Sequence, residues 1–202
     1  MRWLPRLSSP AGSGAAALVI ALAVMLTGCG INTIPTKEET AKAAWSEVQN
    51  QYQRRADLIP NLVNTVKGYA TQEQQVLTQV AEARAKATQV QVNANQLTDP
   101  DALRRFQEAQ AQFTGAIGRL LAVSEQYPDL KSNQNFLSLQ SQLEGTENRI
   151  AVARRDYIAA VQDYNTEVRT FPGRLWAGVY SAKPMATFTT TEQNQQAPTV
   201  KF

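Results

Sequence analysis

One stripe of side chains constrains this chain more than any other feature. Apolar or long residues recur at Trp45, Val48, Tyr52, Arg55, Ile59, Leu62, Val66 and Tyr69, in alternating steps of three and four. That spacing places all eight on one face of a helix, which must pack against other helices to leave water. The register continues through Val76, Val80, Ala83, Ala87 and Val90. The stretch therefore predicts a long first helix reaching about Ala94. Pro60 removes a backbone donor, clashes one turn back and biases Ile59 away from helical angles, so a kink or break is expected at Asp57 to Pro60. Gly68 to Thr71 is a second candidate corner, after which Thr71 and Gln74 would cap a separate helix.

The other boundaries follow from capping chemistry. Thr36 followed by Glu39 reads as a capping box that opens the first helix. Asp99 suits an N-cap and Pro100 the first helical position, where no amide is missed. The next seam is Leu103, Phe106, Gln110, Phe113, Ile117, Leu120 and Ser124, and it stops near Tyr127 because Pro128 cannot continue it. Ser132 or Asn133 then opens a last long helix with Phe136, Leu139, Leu143, Ile150, Tyr157, Tyr164, Val168 and Phe171 on its seam, ended by Pro172 and Gly173. No run alternates with period two, so no sheet is expected. Short connections at 95–99 and 128–132 make consecutive helices antiparallel. The fold class is all-α: an up-and-down bundle of three long helices, or four if the first divides.

The N-terminus carries a leader. Arg2 and Arg6 precede an apolar run from Ala15 to Leu26, and Leu26-Thr27-Gly28-Cys29 ends it with small residues before the only cysteine. This has the form of a lipoprotein-type signal peptide, cleaved between Gly28 and Cys29 with Cys29 lipidated. Even the generous count from Gly14 to Gly28 falls short of the roughly 20 residues a spanning helix needs. The alternative is an uncleaved anchor helix with both arginines held inside. Either way the membrane is the first expected partner. The chain then divides into a leader at 1–28, a tether at 29–36, a helical bundle at 37–171 and a tail at 172–202. In the tail, Leu175, Trp176, Val179 and Tyr180 suit one or two amphipathic turns, and loop follows Lys183.

Charge and composition exclude whole classes of function. Removing Arg2 and Arg6 from the 20 basic residues leaves 18 against 17 acidic ones, interleaved, so there is no electrostatic footprint for nucleic acid. The chain contains no histidine. Histidine-based nucleophile activation, histidine-ligated zinc and Glu-x-x-His di-iron sites are all excluded, and no cofactor or metal is expected. The carboxylate pairs Glu38 with Glu39, Asp99 with Asp101 and Glu144 with Glu147 fall at helix starts or on polar faces, where acids complement the dipole or solvate the surface. Tyr52, Tyr69, Tyr157 and Tyr164 lie on seams and read as core.

Two polar clusters stand out: Arg54, Arg55 and Asp57 on the first helix, and Glu147, Asn148, Arg149, Arg154, Arg155 and Asp156 on the last. A guanidinium on a seam needs an acceptor to offset desolvation. Arg55 or Arg154 is therefore expected to bond across the bundle to Asp57, Glu147 or Asp156 and fix register. The alternative is an anion or partner site. At the C-terminus, Val200 and Phe202 alternate beside a free carboxylate. The tail is expected to dock on its own bundle, with presentation to a PDZ-type sheet edge as the alternative.

The segments QYQRRADLIPNLVNTVKGYA (51–70), YPDLKSNQNF (127–136) and TENRIAVARRDY (146–157) resemble the LemA family in wording, order and spacing. The resemblance implies four helices, a position outside the cytoplasmic membrane on one N-terminal anchor, commonly uncleaved, and no known reaction. Genes for membrane proteases or other envelope proteins often neighbour this family's, which implies a scaffold or protease-adaptor role with an envelope protein as partner. A carboxylate-dependent enzyme acting on envelope glycan, or a small-ligand carrier, is the competing expectation. Oligomeric state is not legible in the sequence.

Overall fold

The computed structural model describes residues 31–188. Gly28 and Cys29, and Val200 and Phe202 at the other end, lie outside them. The described residues form six α-helices and no strand: α1 Thr33–Tyr69, α2 Gln74–Gln89, α3 Pro100–Ser124, α4 Pro128–Lys131, α5 Gln134–Arg169 and α6 Gly173–Tyr180. α1 packs along α5 and α2 along α3. The four long helices alternate in direction, as short connections require. The fold is the all-α bundle that the seam spacing implies.

The first helix does divide, at Ala70–Glu73 and not at Pro60, through which α1 runs unbroken. The physical reason lies one turn back. A residue with an amide at position 60 would donate to the carbonyl of Ala56; proline leaves that oxygen free. Arg84 on α2 takes the place of the missing donor, its Nε lying 2.7 Å from Ala56 O. The proline thus becomes an attachment point for the neighbouring helix.

Three further boundaries differ from the sequence expectations. α1 begins at Thr33, inside the expected tether, and the Thr36–Glu39 capping box does not form. The Thr36 hydroxyl donates back to Asn32 O at 2.8 Å, and Glu39 pairs with Lys42 at 2.8 Å. α5 ends at Arg169, so Phe171 leaves the seam and is 81% exposed. Tyr69 likewise turns outward, 43% exposed, where its hydroxyl accepts from Asn133 Nδ2 at 2.9 Å. The short α4 was not legible. The caps at Asp99 and Asn133 form as the sequence implies: Asp99 Oδ1 accepts from the Asp101 amide, and Asn133 Oδ1 from the amides of Asn135 and Phe136.

The α3 seam is buried in full, from Leu103 to Ser124. On α2, Leu77 is buried where Val76 is only half-buried, because the break at Ala70 resets the helical phase. α6 is held against the end of α5 by a close approach: a Cβ on Gly173 would sit 2.2 Å from Glu167 O, so only glycine fits.

The Arg84–Ala56 bond makes a coupled prediction. Pro60→Ala should raise stability, since it removes the penalty of an interior proline of about 3 kcal/mol, less the roughly 1 kcal/mol or under that unfolded-chain entropy returns. Arg84→Met should cost about 1–2 kcal/mol in the natural chain and distinctly less beside Pro60→Ala, whose new amide satisfies Ala56. Urea midpoints of the four chains check this; equal Arg84→Met costs in both backgrounds would sink it.

Candidate functional site: a polar layer across the bundle

The core consists of two apolar clusters. One gathers Trp45, Val48 and Tyr52 of α1 with Phe106, Ile150, Tyr157 and Tyr164; the other gathers Ile59, Leu62 and Val66 with Phe113, Leu120, Phe136 and Leu143. Between them, at one level on each helix, the buried residues turn polar: Arg55 on α1, Gln110 on α3 and Thr146 on α5.

Arg55 is the centre of this layer and is 1% exposed. Its Nη1 donates to Glu147 Oε1 of α5 at 2.7 Å and to Thr114 Oγ1 of α3 at 2.9 Å. Its Nη2 donates to Gln110 Oε1 at 2.8 Å, and the Gln110 amide nitrogen passes the contact on to Ala87 O of α2 at 3.1 Å. One guanidinium therefore ties all four long helices, which its forked geometry allows and a point charge would not. Its Nε has no acceptor among the described residues, and its planar group lies against the rings of Tyr52 and Phe113, 5.0 and 5.1 Å from their centroids.

The remaining sequence candidates scatter. Glu147 joins the layer from the surface, 45% exposed. Asp57 faces solvent, accepting from Gln53 Nε2 at 2.8 Å with Arg84 at 4.0 Å. Arg54 is exposed. Arg154 has no carboxylate partner among the described residues; it lies over Phe188, 4.4 Å from the ring centroid. Among the described residues Arg155 and Asp156 pair only with each other, at 3.4 Å on the surface. Asn148, Arg149 and Asp156 line a shallow groove of about 540 Å³ between α1 and α5, together with Glu47, Gln51 and Val152.

The LemA family model matches residues 44–202, more than half of the chain. The chain belongs to the LemA family. It is similar to magnetosome protein MamQ 2 of Paramagnetospirillum magneticum, 29% identical over 168 residues, which cover 75% of this chain and 62% of that protein. Magnetosome protein MamQ of Magnetospirillum gryphiswaldense is 26% identical, covering 80% of this chain and 68% of its own length. Protein LemA of Metamycoplasma hominis is 24% identical, over 69% and 60%. The chain spans only about six-tenths of the length of the first MamQ relatives it matches.

In this LemA-family chain the matched span also contains a strap, part of the tail expected to dock on its own bundle, whose seating the sequence did not specify. Residues 182–188 run back along α5 in extended form. Asn165 holds them by two bonds, Oδ1 accepting from Met185 N at 2.8 Å and Nδ2 donating to Met185 O at 2.9 Å. Tyr157 and Tyr164 donate their hydroxyls to Ala186 O and Lys183 O, and Ala186 N donates to Leu97 O at 2.7 Å. Phe188 completes an aromatic group with Trp45 and Tyr157. The signal was faint: Tyr157, Tyr164 and Asn165 sit on or beside the α5 seam, but nothing local names their carbonyl partners.

Two measurements test these roles. Glu147→Ala should destabilise the bundle by about 1–3 kcal/mol, because the buried Arg55 loses its counter-charge. Arg55→Lys should not rescue the layer, since an ammonium cannot reach all three acceptors at once; thermal denaturation of both variants reads this out. Burial pushes the Tyr157 phenol well above its ordinary value. The fold thus favours the neutral phenol, a contribution whole below the unfolded value of about pH 10 and lost as pH rises beyond it. Stability of the natural chain should fall more steeply above that pH than stability of Tyr157→Phe.

Proposed function

We propose that this chain is a non-enzymatic, membrane-anchored helical interaction module of the bacterial envelope. The observation that carries this reading is the occupation of the buried charge. Arg55 bonds to its own helices and not into an open cleft, so its role is to hold the rods in register. The acids that an enzyme would need are similarly engaged: Glu38 and Glu39 with Lys42, Asp99 as a cap, Asp101 with Arg104, and Glu144 with Gln140.

Anchorage is supported by chain geometry. The apolar run ends at Leu26, seven residues before α1 begins at Thr33. A rigid helix of 37 residues, roughly 55 Å at 1.5 Å per residue, is thereby rooted close to a lipid or helical anchor. Restriction to a surface raises the effective concentration of whatever the bundle presents. The face we assign to a partner is the α1–α5 groove around Asn148, Arg149, Val152 and Asp156, with an envelope protease as the partner class that the family resemblance favours.

Photo-crosslinking in intact cells tests the reading. A photoreactive residue at Val152 in the full chain should give a protein adduct from the membrane fraction, and one at Glu82 on α2 should not. Cys29→Ala should release the chain if Cys29 carries lipid, and leave it in the membrane if the apolar run stays as an anchor. Recovery of the natural chain from the cytosol, or turnover of glycan by the purified protein, would overturn the proposal.

A further inference from the structure

The end of the bundle at which α1 begins carries apolar side chains that no described residue covers. Phe171, Leu175 and Val179 are spaced four apart and are 81%, 65% and 72% exposed. The opposite side of α6, with Trp176 and Ala177, packs onto the bundle. Isolated exposed apolar residues need no explanation, but Leu175 and Val179 stand one turn apart on the outer face of α6, with Phe171 exposed in the turn just before it, and such a group marks a contact surface.

The position of α6 selects its occupant. α5 runs antiparallel to α1, so its last turn lies beside the first turn of α1, where Lys37 pairs with Glu167 at 3.5 Å. α6 follows directly, wedged against Glu167 through Gly173 and packed on α1. From Leu26 to Thr33 the chain can span at most about 25 Å fully extended. A bilayer that holds the apolar run, or a lipid on Cys29, is therefore within a short reach of α6. The charges around the stripe complement it: Arg169, Arg174 and Lys183 are exposed and form no ion pair among the described residues. An apolar stripe flanked by cations is the chemistry of an interfacial helix on anionic lipid.

We infer that Phe171, Leu175 and Val179 form a second membrane contact, inserting into the surface of an anionic bilayer beside the N-terminal anchor. A single attachment point leaves the tilt of the bundle unset. Two contacts at separate points fix its tilt, and α1 with α5 then stands off the membrane in a set orientation. This inference rests on the anchored reading proposed above, and the following experiment separates the two.

The full chain is reconstituted into vesicles of phosphatidylethanolamine and phosphatidylglycerol. An environment-sensitive fluorophore is attached in turn through Leu175→Cys, Val179→Cys and Glu82→Cys, with the unsubstituted chain and its Cys29 setting the background. Flotation with the vesicles reports the anchor. Spin-labelled acyl chains should quench the labels at 175 and 179 several-fold more than the label at 82, placing them about 5–10 Å into the headgroup and acyl boundary. The triple variant Phe171→Ser, Leu175→Ser, Val179→Ser should float equally but lose quenching of a label at 180, introduced by Tyr180→Cys, with unchanged helical circular dichroism. Flotation without quenching at 175 and 179 overturns the second contact and leaves the anchor standing. Energy transfer between labelled chains in place of lipid quenching assigns the stripe to a second copy and also overturns it. Failure to float defeats both readings.

Discussion

Everything in this bundle is referred to the Arg55 layer. Removing a guanidinium from water is costly, and the cost is offset only because three side-chain acceptors from two helices converge on it while two aromatic faces cover its plane. A slip of α1, α3 or α5 by one turn, about 5.4 Å, would separate at least one guanidinium donor from its acceptor. The two apolar clusters on either side tolerate small slides far better, since one leucine contact resembles another. Register in this fold is therefore set by polarity, and cohesion by apolar burial.

The two halves of the bundle are closed in different ways. Around Ile59 and Leu77 four helices surround the core, as in an ordinary bundle. Around Trp45 and Tyr157, however, α2 has already ended. Its place is taken by the 90–99 connection and the 182–188 strap, whose backbone groups are satisfied by side chains: the Trp45 indole donates to Val92 O at 2.8 Å, and Asn165 embraces Met185. Irregular backbone can cover a core only when each buried amide and carbonyl is answered in this manner. That explains why Trp45, Tyr157 and Tyr164, aromatic residues with polar tips, gather in this half.

Much of this was legible because it is periodic. The seams of α1 and α3 set which residues are buried, down to Gln110 and Ser124, and Asp99 and Asn133 set two helix starts. The resemblance at 51–70, 127–136 and 146–157 placed the chain in its family. What escaped depends on long-range partners. Pro60 reads locally as a breaker, and only the arrival of Arg84 from α2 makes it tolerable. Arg55 was recognisable as a charge needing a partner, yet its choice of Glu147 over Asp57 follows from the facing of α1 and α5. Thr36 and Glu39 had the letters of a capping box, but helical structure had already begun at Thr33. Arg154 found an aromatic face in place of a carboxylate because Phe188 returns over it, and no local pattern announces that return.

The strap has one more consequence. It does not lie across the end of the bundle but climbs its side, so Phe188 rests beside Arg154, fifteen residues of α5 back from Arg169, or roughly 22 Å. The last described residue thus sits at the waist of the molecule and not at either end, and the strap shuts the aromatic half of the core from the side.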